Sequence, residues 1–140
     1  MTDPAARLAD WRPRLTAYLA ETADLGFRYG SNDCALFAAG AVRAMTGHDP
    51  AAAWRGTYTT LEGGLKRLMK AGFNDHVHLA GSLFQDVAPA FAQVGDLALV
   101  DAPDGPALGI VVGETIACLA PQGLGHLPRE AALRAWTVPV

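Results

Sequence analysis

Phe27-Arg28-Tyr29-Gly30-Ser31-Asn32-Asp33-Cys34 runs directly into Ala35-Leu36-Phe37-Ala38-Ala39-Gly40-Ala41-Val42, and this junction decides how the chain is read. Ser31, Asn32 and Asp33 have short side chains that accept hydrogen bonds from the free N–H groups opening a helix. The small apolar run behind them predicts a helix from about Cys34 to Met45, stopped at Gly47, which suits a left-handed cap. Cys34 thereby falls in the first helical turn. Unpaired N–H groups and the positive end of the helix dipole favour a thiolate there. The thiolate is the form of cysteine that attacks carbonyl carbon. The competing reading is a small buried apolar residue without chemistry, which is how most free cysteines pack.

Working outward, Asp3-Pro4 predicts a helix start, and Leu8, Trp11, Leu15, Tyr18 and Leu19 recur at helical spacing. Pro13 inside this pattern kinks the helix or delays its start. Beyond Gly47, a loop from His48-Asp49-Pro50 to Tyr58 precedes Thr59-Thr60-Leu61-Glu62, which matches a capping box. A third helix is expected from about Thr60 to Ala71, ending at Gly72 and weakened early by Gly63-Gly64. Phe73 to Phe91 has no decisive period; read as a strand, it sets His76 and His78 on one face.

After Pro89 the period becomes that of strands. Val94 to Asp101 and Ala107 to Gly113 are apolar strands, separated by the turn Pro103-Asp104-Gly105-Pro106. Glu114-Thr115 turns the chain into a third, Ile116-Ala117-Cys118-Leu119. Gly123-Leu124-Gly125-His126 reads as a loop, Pro128 to Arg134 as a short helix, and Trp136 to Val140 as a closing strand. Helices first and antiparallel strands second is an α+β pattern. Residues 1–140 read as a single domain.

A chain of 140 residues that is 51% hydrophobic and 18% charged can bury a real core and is not a disordered composition. The net charge is −3, and the one basic cluster is Lys66-Arg67 with Lys70, which argues against nucleic-acid binding. Met1-Thr2-Asp3-Pro4 has no signal-peptide character, so cytoplasmic synthesis without a signal peptide is expected. No apolar run approaches the roughly 20 residues that cross a bilayer, so no membrane insertion is expected. Cys34 and Cys118 are too few and too far apart for a disulfide scaffold or a zinc site, and free thiols are expected. His48, His76, His78 and His126 lack partners at ligand spacing, so neither a metal nor a cofactor is expected.

The order of these motifs resembles the NlpC-type cell-wall peptidases. The shared features are an Asp-Cys pair opening a helix, a Gly-Asp-Leu strand, and an apolar strand containing Gly-Ile and ending in Gly. The closer resemblance is to a small branch found in phages, prophages and gene transfer agents. Its pattern is matched here by Trp11, Phe27 to Cys34, Gly47 to Asp49, Gly95-Asp96 and Ala135-Trp136. The resemblance implies a papain-like α+β fold, with N-terminal helices packed on a C-terminal antiparallel sheet. It implies a tail-associated virion protein whose partners are other tail proteins or peptidoglycan. Position by position, the family's nucleophile maps onto Cys34, preceded by Asp33. The family's general-base histidine maps onto Ala107, which cannot accept a proton. The orienting polar residue maps onto the strand Ile116 to Leu119, whose one polar group is the Cys118 thiol.

Two functions follow. In the first, the scaffold survives without its chemistry and serves as a tail-tip or hub component, or as a wall-binding module. Loss of the base costs several orders of magnitude in rate, and Asp33 opposes a neighbouring thiolate while capping its helix. In the second, the protein is a thiol hydrolase that cuts peptidoglycan peptide bonds during genome delivery. Cys34 attacks the amide carbonyl, backbone N–H groups hold the oxyanion, and a histidine from elsewhere shuttles the proton. His126 is the first candidate, because flanking glycines let its loop approach the cleft, and His76 and His78 are the others.

Overall fold

The computed structural model describes residues 5–103, 105–120 and 123–140. Four helices come first: α1 (Trp11–Thr22), α2 (Cys34–Thr46), α3 (Leu61–Lys70) and α4 (His76–Leu83). Six strands follow: β1 (Gln85–Val87), β2 (Leu97–Ala102), β3 (Gly105–Val111), β4 (Thr115–Ala120), β5 (Gly123–Pro128) and β6 (Arg134–Thr137). They form one antiparallel sheet in the order β1-β6-β2-β3-β4-β5. The α+β class and the helices-then-sheet order agree with the sequence reading.

The helix ends follow local chemistry. Asp33 caps α2 by accepting from the Leu36 N–H, and Gly47 ends it at φ 80°. Thr60 caps α3 by accepting from the Gly63 N–H. The cap is therefore Thr60 and not Thr59, so Glu62 is free of a capping box and pairs with Lys66 one turn on. The expected start of the first helix at Asp3-Pro4 lies outside the described residues. Helix α1 begins at Trp11, which places Pro13 in the first turn, where its missing N–H costs nothing.

Two segments differ from the sequence reading. His76 and His78 stand on a helix, not a strand, because the Asp75 carboxylate accepts from the His78 N–H and nucleates α4. Gly123 to Pro128 is strand β5, not a loop. Its glycines and proline read as a turn, but pairing with β4 along Thr115 to Ala120 fixes it as extended chain. Both ends of this outer strand are guarded. The Ala23 carbonyl takes the Leu124 N–H, and Pro128 has no N–H to offer. Such blocking protects a sheet edge from pairing with other chains.

The sheet alternates between two apolar clusters. Leu97, Leu99, Leu108, Ile110, Ala117 and Trp136 pack with Leu15 of α1 and with Phe37, Ala38, Ala41, Val42 and Met45 of α2. Ala98, Val100, Ala107, Val111, Ile116 and Ala135 form the second cluster with Ala92. Helices α1 and α2 lie side by side, with Tyr18 stacked on Phe37 and its hydroxyl donating to the Phe37 carbonyl. Gly40 makes this approach possible, since a Cβ there would stand 2.2 Å from the Tyr18 oxygen.

The Gly-Asp motif closes the fold. The Arg7 guanidinium donates to the Val94 and Val138 carbonyls and to Asp96. Asp96 also accepts from the Val138 and Gln93 N–H groups. One buried carboxylate and one guanidinium thus tie the chain near its beginning to the sheet and to the C-terminal segment. Gly95 is required beside them, because a Cβ would come within 2.5 Å of Arg7.

Candidate functional site

The start of α2 is built around the Asp33 carboxylate, which is 5% exposed. One oxygen accepts from the Leu36 N–H at 2.9 Å, satisfying a free donor of the helix. The other accepts from the Gly30 N–H at 3.0 Å and from the Tyr58 hydroxyl. Asp33 is thus held by its own helix, by the turn before it and by the loop after it. Three donors compensate the burial of one charge.

Cys34 is the first residue of α2, as read from the sequence, and is half-buried. It packs against the second cluster, the one that contains Ala107 and against which Cys118 also packs. No disulfide joins the two cysteines. Burial pushes the Cys118 thiol above its ordinary value, as expected of a thiol among aliphatic side chains. Ala107 is 5% exposed and pairs with Val100.

The loop between α2 and α3 supplies the residue that the sequence did not reveal. Asp49 accepts from the Ala51 N–H and from Arg55, whose Nε lies 2.9 Å away. Burial disfavours the Asp49 charge, yet the hydrogen bonds from Arg55 and Ala51 outweigh it and hold the carboxyl below its ordinary value. A second nitrogen of Arg55 reaches the Leu36 carbonyl at 3.4 Å, so the loop is fastened to α2. Tyr58 then lies between two glycines. A Cβ on Gly30, at φ 86°, would stand 1.8 Å from the Tyr58 carbonyl oxygen, and one on Gly64 would stand 3.0 Å from the ring. Only this close packing lets the phenol reach Asp33. Burial, then the hydrogen bond to Asp33 and the charges of Asp33 and Cys34, push the Tyr58 phenol far above its ordinary value, against the pull of Arg55. It remains an O–H donor throughout the working pH range.

The histidines are engaged at other places. His126 stands on β5, opposite Ala117, with Nδ1 3.1 Å from the Thr115 hydroxyl. The end of β5 that adjoins α1 is Gly123-Leu124, and three residues of strand separate Gly123 from His126 by roughly 10 Å. His78 accepts from the Asn74 N–H through Nδ1. His76 places Nε2 2.8 Å from the Pro106 carbonyl. A carbonyl only accepts, so Nε2 is the donor in this contact. His76 also lines, with Ala35, Leu108 and Leu79, a mostly apolar cavity of about 50 Å³ between α2, α4 and the sheet. The structure therefore brings Asp33, Cys34 and Tyr58 together and sets His76 beside the residue preceding Ala107.

Among the described residues, no group of three or more His, Cys, Asp or Glu is placed to hold a metal ion. No helix among them is long and apolar enough to cross a membrane.

No curated protein is similar enough to match this chain. One family model matches residues 6–138, from the Arg7 clamp to the Val138 carbonyl that Arg7 holds. That match spans nearly the whole length, so the chain belongs to the family described as a domain of unknown function, DUF6950.

Proposed function

We propose that this protein is an NlpC-like scaffold that has kept the nucleophile position and lost the proton-transfer groups. It acts as a structural tail-tip or hub component, or as a wall-binding component, of a phage or gene-transfer-agent particle. The observation that carries the loss of chemistry is Ala107 at the base position, in the cluster on which Cys34 packs. The second cluster, which holds Ala107 at the base position, has only aliphatic members in its core. Alanine accepts no proton. The rings of His76, His78 and His126 are each hydrogen-bonded to Pro106, Asn74 and Thr115 respectively. The tail association rests on the order of motifs from Trp11 to Trp136.

Binding tests this reading. Purified peptidoglycan sacculi and purified tail particles are incubated with the parent chain and with Cys34→Ala. Equal retention of both chains on either material is expected. Retention that depends on Cys34 would contradict a role without thiol chemistry.

A second reading, an active peptidoglycan thiol hydrolase, is favoured by one observation. His76 stands next to the expected base position from a different element, with Nε2 on the Pro106 carbonyl. In that reading Cys34 attacks the amide carbonyl, His76 takes the thiol proton and returns it to the leaving amine, and water then hydrolyses the thioester.

A further inference from the structure

We propose that Tyr58 is a positioning residue: by donating to Asp33 it holds that carboxylate as the cap of α2 and so sets how readily Cys34 ionises. The proposal is independent of whether the protein cuts peptidoglycan.

Two influences conflict at residues 33 and 34. The helix start favours a thiolate at Cys34. A carboxylate one residue away opposes it. Which influence wins depends on how far the Asp33 charge is drawn off by its donors. Two of the three donors, the Gly30 and Leu36 N–H groups, belong to the backbone around the cap. Tyr58 is the one donor that comes from a side chain, and it comes from a different loop. Gly30 and Gly64 make room for it, and the Asp49–Arg55 pair anchors the loop that carries it. Several independent features of the sequence thus converge on one phenol and one carboxylate.

Several groups lie around Cys34. Asp33 and Tyr58 stand at its helix start, and Arg55 acts on both from the loop. Cys118 of β4 packs on the same cluster, and β3 presents Ala107 there. On the α4 side, His76 lines the cavity with Ala35. The phenol stays protonated, so a titration near neutrality reports the thiol and not Tyr58.

The test is the pH–rate profile of iodoacetamide alkylation of Cys34, in a Cys118→Ala chain that leaves one thiol. Tyr58→Phe removes the donor and keeps the ring. Asp33→Asn removes the charge and keeps a good helix cap. With Tyr58→Phe, the midpoint is expected to rise by about half a unit or more; with Asp33→Asn, it is expected to fall by about a unit. Tyr58→Phe should add no shift in the Asp33→Asn background, because its effect passes through the carboxylate. A profile unchanged by Tyr58→Phe, or shifted equally with and without Asp33, would overturn the proposal. Should Tyr58→Phe fail to fold, Asp33→Asn still decides: an unmoved midpoint removes the carboxylate from the account. Thermal unfolding of each variant separates these shifts from a general loosening of the fold.

Discussion

Arg7 and Asp96 lie 2.9 Å apart with side chains only 3% and 5% exposed, 89 residues from each other in the chain. The pair is a structural clamp. Burial pulls the Arg7 guanidinium below its ordinary value, while Asp96 restores part of the loss. Removing one member strands the other as an uncompensated charge. Asp96→Ala is expected to cost about 3–5 kcal/mol in urea unfolding at pH 7. A loss below about 1 kcal/mol, the level of an exposed pair, would show that the clamp is not what closes the fold.

The Gly30 turn gives a second prediction. Gly30→Ala forces a left-handed backbone on alanine and drives its Cβ into the Tyr58 carbonyl. The expected loss is about 2 kcal/mol or more, from conformational strain and overpacking together. Gly56 has a similar φ of 77°, but a Cβ there meets nothing within 4 Å. Gly56→Ala should therefore cost about 1–2 kcal/mol, the conformational part alone. Equal losses would remove the steric role assigned to Tyr58.

Acid stability tests the loop anchor. Asp49 titrates below its ordinary value in the folded protein, so its contribution is present above about pH 4, the value in the unfolded chain. That contribution is lost as the pH falls through the lower folded value. The pair is only partly screened, with Arg55 29% and Asp49 11% exposed, and is expected to be worth about 1 kcal/mol. Asp49→Asn should lower stability at pH 7 and leave it unchanged near pH 2. Equal losses at both pH values would mean that the charge is not the cause.

A fourth prediction concerns Ala107, which stands at the proposed base position. Ala107→His places an imidazole in the cluster on which Cys34 packs. The alkylation midpoint of Cys34 should fall below that of the parent chain. Overpacking a site that is 5% exposed should cost about 1–3 kcal/mol at the same time. A stable variant with an unmoved midpoint would show that residue 107 does not address the thiol.

What was legible in the sequence was what local chemistry controls. Asp33 and Gly47 announce helix ends because a cap is made within a few residues of itself, and the cap of α3 was misplaced by one residue. Strands β2 to β4 announce themselves through apolar runs broken by turns. Strand β5 was hidden because Gly123, Gly125 and Pro128 look like a turn, and only β4 and Ala23 make them a strand. Helix α4 was hidden because two histidines at its start dilute its apolar pattern. Within the site, Cys34 and Asp33 stood out by adjacency. Tyr58 did not, since 25 residues separate it from Asp33 and nothing in its loop names its partner. The Gly95-Asp96 motif was visible, but its purpose was not, because Arg7 lies at the other end of the chain.

The central claim, a retained nucleophile position without proton transfer, is tested most directly by release of soluble fragments from purified peptidoglycan at neutral pH. The parent chain and Cys34→Ala are expected to give the same release, at the background of the untreated material. Strong release by the parent chain that disappears in Cys34→Ala would contradict the account and would make His76, beside Pro106, the first base to replace.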